Sequence, residues 1–188
     1  MRSQTGRLTA LALLIALTVV LTRWGSIRLT FLGLETLRIG IGALPVILTG
    51  VLYGPVAGFL VGAVGDVLGW AISPMGPYMP WFTITTGLCG AIPALVIWAL
   101  GGRERPLLWH LFVGIAIGQL IAAVVLVPLG LLWLFKVPLA ATLWPRLVVQ
   151  AVLLPIHALL VRAVLLRLQP FWRLRAVPVP ASVGKSGS

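Results

Sequence analysis

Residues 55–73 of this chain read PVAGFLVGAVGDVLGWAIS, an apolar run that contains one acid, Asp66. A helix that crosses a bilayer needs about 20 mostly apolar residues, so this run is long enough to span a membrane. Glycines recur in it at positions 58, 62, 65 and 69. Small residues at near four-residue spacing let a neighbouring backbone approach closely. The stretch therefore predicts a membrane helix that packs tightly on another helix.

Five more apolar runs complete the pattern, at about 8–22, 37–53, 82–100, 108–135 and 145–168. The chain has 188 residues, of which 60% are hydrophobic and 9% are charged, and its mean hydropathy is +1.12. A soluble domain carries about a quarter charged residues. The composition excludes a soluble globular enzyme and a disordered chain. We predict an all-α membrane protein: a compact six-helix transmembrane bundle over residues 1–168, followed by a basic, disordered cytoplasmic tail, 169–188.

The net charge of +11 is distributed in a way that predicts membrane topology. With the N-terminus in the cytoplasm, eight Lys and Arg residues fall on the inner side and three on the outer side. Basic residues favour cytoplasmic loops, so we expect both termini in the cytoplasm. The basic tail is then expected to contact membrane lipid, and nucleic acid is not an expected partner.

Several cations are expected near the outer face. Arg38 precedes Gly40, Gly42 and Pro45 in the second run, so it either lines a pocket beside a loosened helix or extends to the lipid headgroups. Arg146 and Gln150 are four residues apart and share one face of the sixth helix. Together with Arg28 in the outer connection 23–36, Arg146 would suit an anionic ligand.

Asp66 is the only acid within a predicted span. It either pairs with an arginine or a neighbouring helix, or it accepts hydrogen bonds from N–H groups of a ligand. Catalysis has little support, because three acids, two scattered histidines and the single Cys89 form neither a metal set nor a nucleophile with its base. No catalytic residue, cofactor or metal is therefore predicted. The sequence also lacks a phosphate-binding loop for ATP.

Five segments together resemble the folate-type substrate-binding subunits (S components) of energy-coupling factor (ECF) transporters. They are LRIGIGALP at 37–45, GVLYGP at 50–55, VGAVGDVLG at 61–69, PMGPYMP at 74–80 and RLVVQ at 146–150. Ala12 and Ala16 resemble the alanine face that such subunits present to their membrane partner. The resemblance covers residues 8–168.

The resemblance implies a multi-pass protein of the bacterial plasma membrane that captures folate or a related pterin from outside. Its pocket would be capped by the segments 23–36 and 74–81. The implied partners are a coupling membrane subunit and two cytosolic ATPases. The implied substrate-binding residues are aromatic groups for stacking, polar groups for the ring edge and cations for the carboxylates: Tyr78, Trp81, Phe82; Asp66, Gln150; Arg28, Arg38, Arg146.

Two other functions stay open at this stage. Trp81 stands where many members of this family have glycine, which allows an S component for another small micronutrient. A non-binding structural membrane subunit, in which the glycine and alanine faces only assemble a complex, is the alternative from a different class.

Overall fold

The computed structural model describes residues 2–31, 34–74, 78–102 and 106–173. Helices occupy most of them, and a two-stranded ribbon lies between the first two helices. A π-helical segment, Leu120–Leu126, joins α5 to α6 without a break. The elements in chain order are α1 Arg2–Arg23, β1 Ser26–Phe31, β2 Leu34–Gly40, α2 Leu44–Tyr53, α3 Pro55–Ile72, α4 Pro80–Ala99, α5 Leu108–Gln119, α6 Val127–Phe135 and α7 Leu139–Arg173.

Five helical segments in the described ranges are long and apolar enough to cross a membrane: Gln4–Arg23, Pro55–Ile72, Pro80–Ala99, Leu108–Leu134 and Thr142–Arg167. The fourth of these combines α5, the π-helical segment and most of α6. With the shorter α2 they form the predicted six-helix membrane bundle. The orientation of the termini stays a prediction. Residues 169–173 of the predicted tail belong to α7. Residues 174–188 lie outside the described ranges, so the disorder of the tail stays a prediction.

The second apolar run differs from its prediction as one helix. Its first part forms β2, and only ten residues form α2. At 1.5 Å per residue this helix is about 15 Å long, which is about half the thickness of a bilayer core. Gly40 and Gly42 weaken a helix, and Pro45 is favoured only in its first turn, where it lies. Arg38 therefore belongs to a strand, and its expected position at the outer end of a helix was wrong.

The predicted outer connection 23–36 is part of an antiparallel ribbon. The register pairs Ser26 with Gly40 and Arg28 with Arg38, with an irregularity between Leu29 and Thr30. The two arginines are thus partners in the register, and β2 runs against α7.

The glycine stripe of α3 packs against neighbouring backbone, as predicted. A Cβ added to Gly58 would lie 2.7 Å from the Cα of Gly50 and 2.9 Å from the carbonyl oxygen of Gly90. A Cβ added to Gly62 would lie 2.6 Å from the carbonyl oxygen of Thr86. Any larger side chain would force α3 away from α2 and α4.

The centre of the bundle surrounds α2, which is buried from Pro45 to Gly50. Around it lies one apolar cluster, formed by Ile47, Leu48, Ile97, Leu111, Ile115, Ala158 and Val161. By contrast, only 11% of the residues in the span of α1 are buried, the smallest share among the candidate spans. Ala12 and Ala16 are exposed on this helix.

Candidate functional site

A cavity of about 230 Å³ lies among α1, α3, α4, α7 and the joined helix α5–α6. Residues at the end of β2 and the start of α2 also border it. Its wall combines aromatic, charged and amide side chains with small apolar residues, which is the usual composition of a small-molecule site. The lining residues are Arg23, Gly40, Gly42, Ala43, Val46, Asp66, Trp70, Tyr78, Met79, Phe82, Thr85, Thr86, Cys89, Gln119, Ala123, Val127, Leu131, Arg146, Gln150, Leu153 and His157.

Asp66 is held by a short hydrogen-bonded chain that reaches the segment before α4. Thr83 Oγ1 lies 2.8 Å from Asp66 Oδ2 and 3.1 Å from the hydroxyl oxygen of Tyr78. A threonine hydroxyl has a single proton. Thr83 therefore donates to the carboxylate and accepts from Tyr78. The Tyr78 ring also contacts Trp70, with ring centroids 5.3 Å apart, so aromatic and acidic groups are fixed side by side.

Arg146 is buried, and the sequence around the π-helical segment explains what its side chain contacts. In a π-helical turn the N–H of residue i+5 bonds to the carbonyl of residue i, as Val127 does to Ala122. The next carbonyl, on Ala123, would need an N–H at Pro128, which has none. Arg146 Nη1 donates to this carbonyl oxygen at 3.1 Å. The guanidinium is thus anchored beside the cavity through Nη1.

Gln119 on α5 and Gln150 on α7 form an amide pair in the cavity wall. Gln150 Nε2 donates to Gln119 Oε1 at 2.8 Å. Gln119 is 3% exposed, and within the described structure its Nε2 and the Oε1 of Gln150 are buried without a hydrogen-bond partner. Both ring nitrogens of His157, which is 2% exposed, are also buried without such a partner. Buried polar groups normally have partners, so this wall is suited to a polar ligand or to water.

Arg23 is a lining residue. The sequence places it with Arg28 in the outer connection, among the cations suited to an anionic ligand, but it was not selected as a site residue. It is the last residue of α1, and its Nη1 donates to the carbonyl oxygen of Ser73 at 2.6 Å. Ser73 caps the C-terminus of α3, where a cation is favoured by the helix dipole. Gly69 makes room for the guanidinium, since a Cβ there would lie 3.0 Å from Arg23 Nε. Two features of the sequence could have pointed to Arg23: its position at the end of an apolar run, and the glycines of α3, which leave room for a large side chain.

The structure brings five of the predicted site residues together around the cavity: Asp66, Tyr78, Phe82, Arg146 and Gln150. Arg28 and Arg38 lie in the ribbon, whose end at Gly40 borders the cavity, but their side chains are outside the described residues. Sequence reasoning did not select Arg23, Gln119 and His157 for the site. Each is a lone polar residue in or beside an apolar run. Such residues indicate that a polar cavity exists, but they do not show which residues meet in it.

Trp81 is not among the lining residues. Its indole Nε1 donates to the carbonyl oxygen of Leu126 at 2.8 Å, and its ring lies where a Cβ on Gly130 would be. The side chain thus packs against the joined helix α5–α6. A role for Trp81 in stacking on the ligand stays a prediction. Among the described residues, no three His, Cys, Asp or Glu side chains are grouped for a metal ion.

Comparison with known proteins assigns the family. The family model described as "ECF-type riboflavin transporter, S component" matches residues 2–167, most of the chain. The chain belongs to the S components of ECF-type transporters. It is also 31% identical over 154 residues to the folate transporter FolT of Clostridium novyi (strain NT), which covers 80% of this chain and 83% of that protein.

Two solved structures resemble this S component. The crystal structure of FolT bound with folic acid matches with a TM-score of 0.69 and 27% identity, over 81% of this chain and 88% of the other. The structure of the S component of a bacterial ECF transporter matches with a TM-score of 0.57 and 21% identity, over 93% and 99%. The second likeness concerns the fold alone. This S component is therefore a multi-pass protein of the cell membrane with a transport role, and its family is not a family of enzymes.

Proposed function

We propose that this S component captures folate or a related pterin in the cavity and delivers it to an ATP-driven coupling module. One observation carries the proposal: a single cavity holds aromatic rings in contact, a hydrogen-bonded carboxylate and a buried guanidinium. Folate has one flat heteroaromatic ring with polar edges and a tail with two carboxylates. The 31% identical relative named as a folate transporter and the folic acid complex at 27% identity support the same ligand.

The cavity wall offers a group for each part of folate. Phe82, with the Tyr78–Trp70 pair, provides apolar faces for the ring. Asp66 and Gln150 provide acceptors and donors for its edge. We assign the tail carboxylates to cations, since a guanidinium can bind a carboxylate through two parallel hydrogen bonds.

Arg146 and Arg23 border the cavity itself. Arg28 and Arg38 are paired in the register of the adjoining ribbon and are proposed as further cations for the carboxylates of a flexible tail. This ribbon and the segment before α4 lie at the end of the bundle that also holds the C-terminus of α1. With both termini in the cytoplasm, that end faces the outside, where the vitamin arrives.

The proposed partners are a coupling membrane subunit and two cytosolic ATPases. The chain has no phosphate-binding loop, so energy from ATP must come from elsewhere. The poorly buried α1, with its exposed Ala12 and Ala16, is the proposed docking face, since small side chains let another membrane helix approach closely. The basic residues after the last span are proposed to contact lipid headgroups.

A titration of the purified chain tests the proposed ligand. Folic acid is added to protein in detergent or nanodiscs while tryptophan fluorescence and heat are recorded, because Trp70 lines the cavity. We expect quenching and a dissociation constant in the micromolar range or below. No signal at high micromolar folic acid would overturn the proposed ligand.

Riboflavin is the second candidate, because the matching family model carries that name. The same protein is titrated with riboflavin, whose own fluorescence reports binding. Tighter binding of riboflavin than of folic acid would replace folate as the ligand while leaving the transport role intact.

A further inference from the structure

The amide pair formed by Gln119 and Gln150 links two helices of the bundle in the cavity wall. One hydrogen bond, 2.8 Å long, already joins α5 to α7 through these side chains. Each amide nevertheless carries further hydrogen-bonding capacity. Gln119 Nε2 and Gln150 Oε1 are buried and have no hydrogen-bond partner within the described structure.

The two leftover atoms are of opposite type. Gln119 Nε2 is a donor and Gln150 Oε1 is an acceptor, and both side chains line the cavity. Rotating both amides by 180° exchanges nitrogen and oxygen on each, and such rotations are a matter of assignment. The pair would still keep its internal bond and still leave one donor and one acceptor. The pair thus stays complementary to a ligand with one donor and one acceptor, with the two roles exchanged; in the assigned orientation the donor is Gln119.

We propose that this amide pair recognises a lactam edge of the ligand ring, meaning a carbonyl oxygen next to a ring N–H, and that Gln119 is a specificity-determining residue. Gln119 Nε2 donates to the carbonyl oxygen, and Gln150 Oε1 accepts from the ring N–H. The proposal rests on the proposed function, because the pterin ring of folate carries such an edge. A ligand bound this way fills both empty hydrogen-bonding positions at once.

A purely structural link between α5 and α7 would need only the one bond that exists. In that case water alone would have to satisfy the buried donor and acceptor, because buried polar groups normally have partners. A site built to hydrogen-bond its ligand rejects analogues that lack the matching group, because its own polar atoms then lose their partners. Lactam recognition accounts for both leftover atoms and predicts selectivity.

The test compares folic acid with its 4-amino analogue, aminopterin, in which an amino group replaces the carbonyl oxygen of this edge. The variant Gln119→Glu keeps the size of the side chain, but its carboxylate only accepts hydrogen bonds. Measured at pH 8, it should bind folic acid at least ten-fold more weakly than the wild type does. The affinity for aminopterin should fall less. The dissociation constant of folic acid divided by that of aminopterin should therefore be at least ten-fold larger in the variant than in the wild type.

Two further variants keep the test decisive. Gln119→Met preserves the length of the side chain but removes its amide. It should weaken the binding of both ligands, and the affinity for folic acid should fall at least ten-fold. Gln4→Met, at an exposed glutamine of α1, should change neither ligand. Equal losses of both ligands in Gln119→Glu, or no loss in either Gln119 variant, would overturn lactam recognition.

Failure of the proposed function has a different signature. If the wild type binds riboflavin but not folic acid, folate is wrong, and Gln119→Met must then weaken riboflavin at least ten-fold, since its ring also contains a lactam edge. A loss smaller than that would overturn the inference as well. A wild type that binds neither compound overturns both.

Discussion

Arg146 combines a structural contact with the chemistry expected of the site. Its Nη1 bonds to the Ala123 carbonyl that Pro128 leaves without an N–H, and the rest of the guanidinium borders the cavity. An alanine substitution would remove the anchor and the charge together. A neutral variant removes the charge, and its thermal unfolding measures the loss of the anchor separately from the loss of ligand binding.

Arg146→Gln is expected to fold with a lower midpoint of thermal unfolding, because the hydrogen bond to Ala123 is lost. It is expected to bind folic acid at least ten-fold more weakly, a loss of about 1.4 kcal/mol of binding free energy. Its neutral amide ends about where Nε of the arginine lies, two bonds before Nη1, so the contact with Ala123 is lost and Arg23 is left as the cation that borders the cavity. Thermal unfolding and folic acid titration measure the two effects separately.

The matched control is Arg162→Gln, an exposed arginine on the same helix α7. It should leave binding unchanged. If Arg146→Gln binds folic acid as tightly as the wild type, the carboxylates are held elsewhere and Arg146 is only an anchor for the π-helical segment.

At the scale of elements, the joined helix α5–α6 owes its shape to the π-helical segment. The lining residues Gln119, Ala123, Val127 and Leu131 are four apart. In a regular α-helix such a spacing drifts by about 40° at each step, which would turn later residues away from the cavity. The wider π-helical turn between Leu120 and Leu126 offsets part of this drift. The segment thus keeps one face of a long helix on the ligand.

Pro128→Ala should weaken folic acid binding several-fold without lowering thermal stability. The alanine supplies the missing N–H and removes a constraint against regular helix, so Ala123 no longer needs Arg146. The comparison variant is Pro138→Ala, in the connection between α6 and α7, which should not affect binding. Unchanged binding in Pro128→Ala would mean that Pro128 does not position the site.

The contact between α3 and α4 depends on a close backbone approach. Gly62→Ala adds a single methyl group that would lie 2.6 Å from the carbonyl oxygen of Thr86. We expect a loss of about 1–3 kcal/mol in stability, as for other overpacked sites. A lower midpoint of thermal unfolding in detergent measures it. Ala63→Val, at the next and less buried position, is the control, and equal shifts in both variants would contradict the role of the stripe.

This glycine stripe was readable from the sequence because its spacing is local to one helix. The structure of the second apolar run was not readable from the sequence. Apolarity alone does not distinguish a strand followed by a short helix from a single membrane helix. Pairing of β2 with β1 and burial of α2 by its neighbours decided that part of the fold. Both are contacts between segments distant in sequence.

At the scale of the whole molecule, the helix least buried by the bundle is α1. Its exposed alanines are the proposed contact with the coupling subunit, and they lie apart from the cavity residues. Ligand capture and coupling would then be separable by mutation.

The double variant Ala12→Leu with Ala16→Leu should abolish folate uptake in cells that contain the coupling module, because larger side chains keep the partner helix at a distance. Binding of folic acid to the purified variant should stay within two-fold of the wild type. Ala151→Leu, at an exposed alanine of α7, should retain uptake. Normal uptake by the double variant would place the docking face elsewhere.

By itself the sequence determined the membrane class, the approximate spans, the glycine-packed α3 and five of the residues that border the cavity. The class, the spans and the glycine stripe follow from apolarity and spacing within one segment. Asp66, Arg146 and Gln150 stand out as polar groups within apolar runs, whereas Tyr78 and Phe82 were implied by the resemblance to the S components. Only the tertiary structure decided that Arg23, Gln119 and His157 join them, that Trp81 turns to α6, and that Arg146 is anchored on Ala123. The reason is that a cavity is a gap between helices, and the side chains around it are selected by how distant segments pack rather than by their own neighbours in the chain.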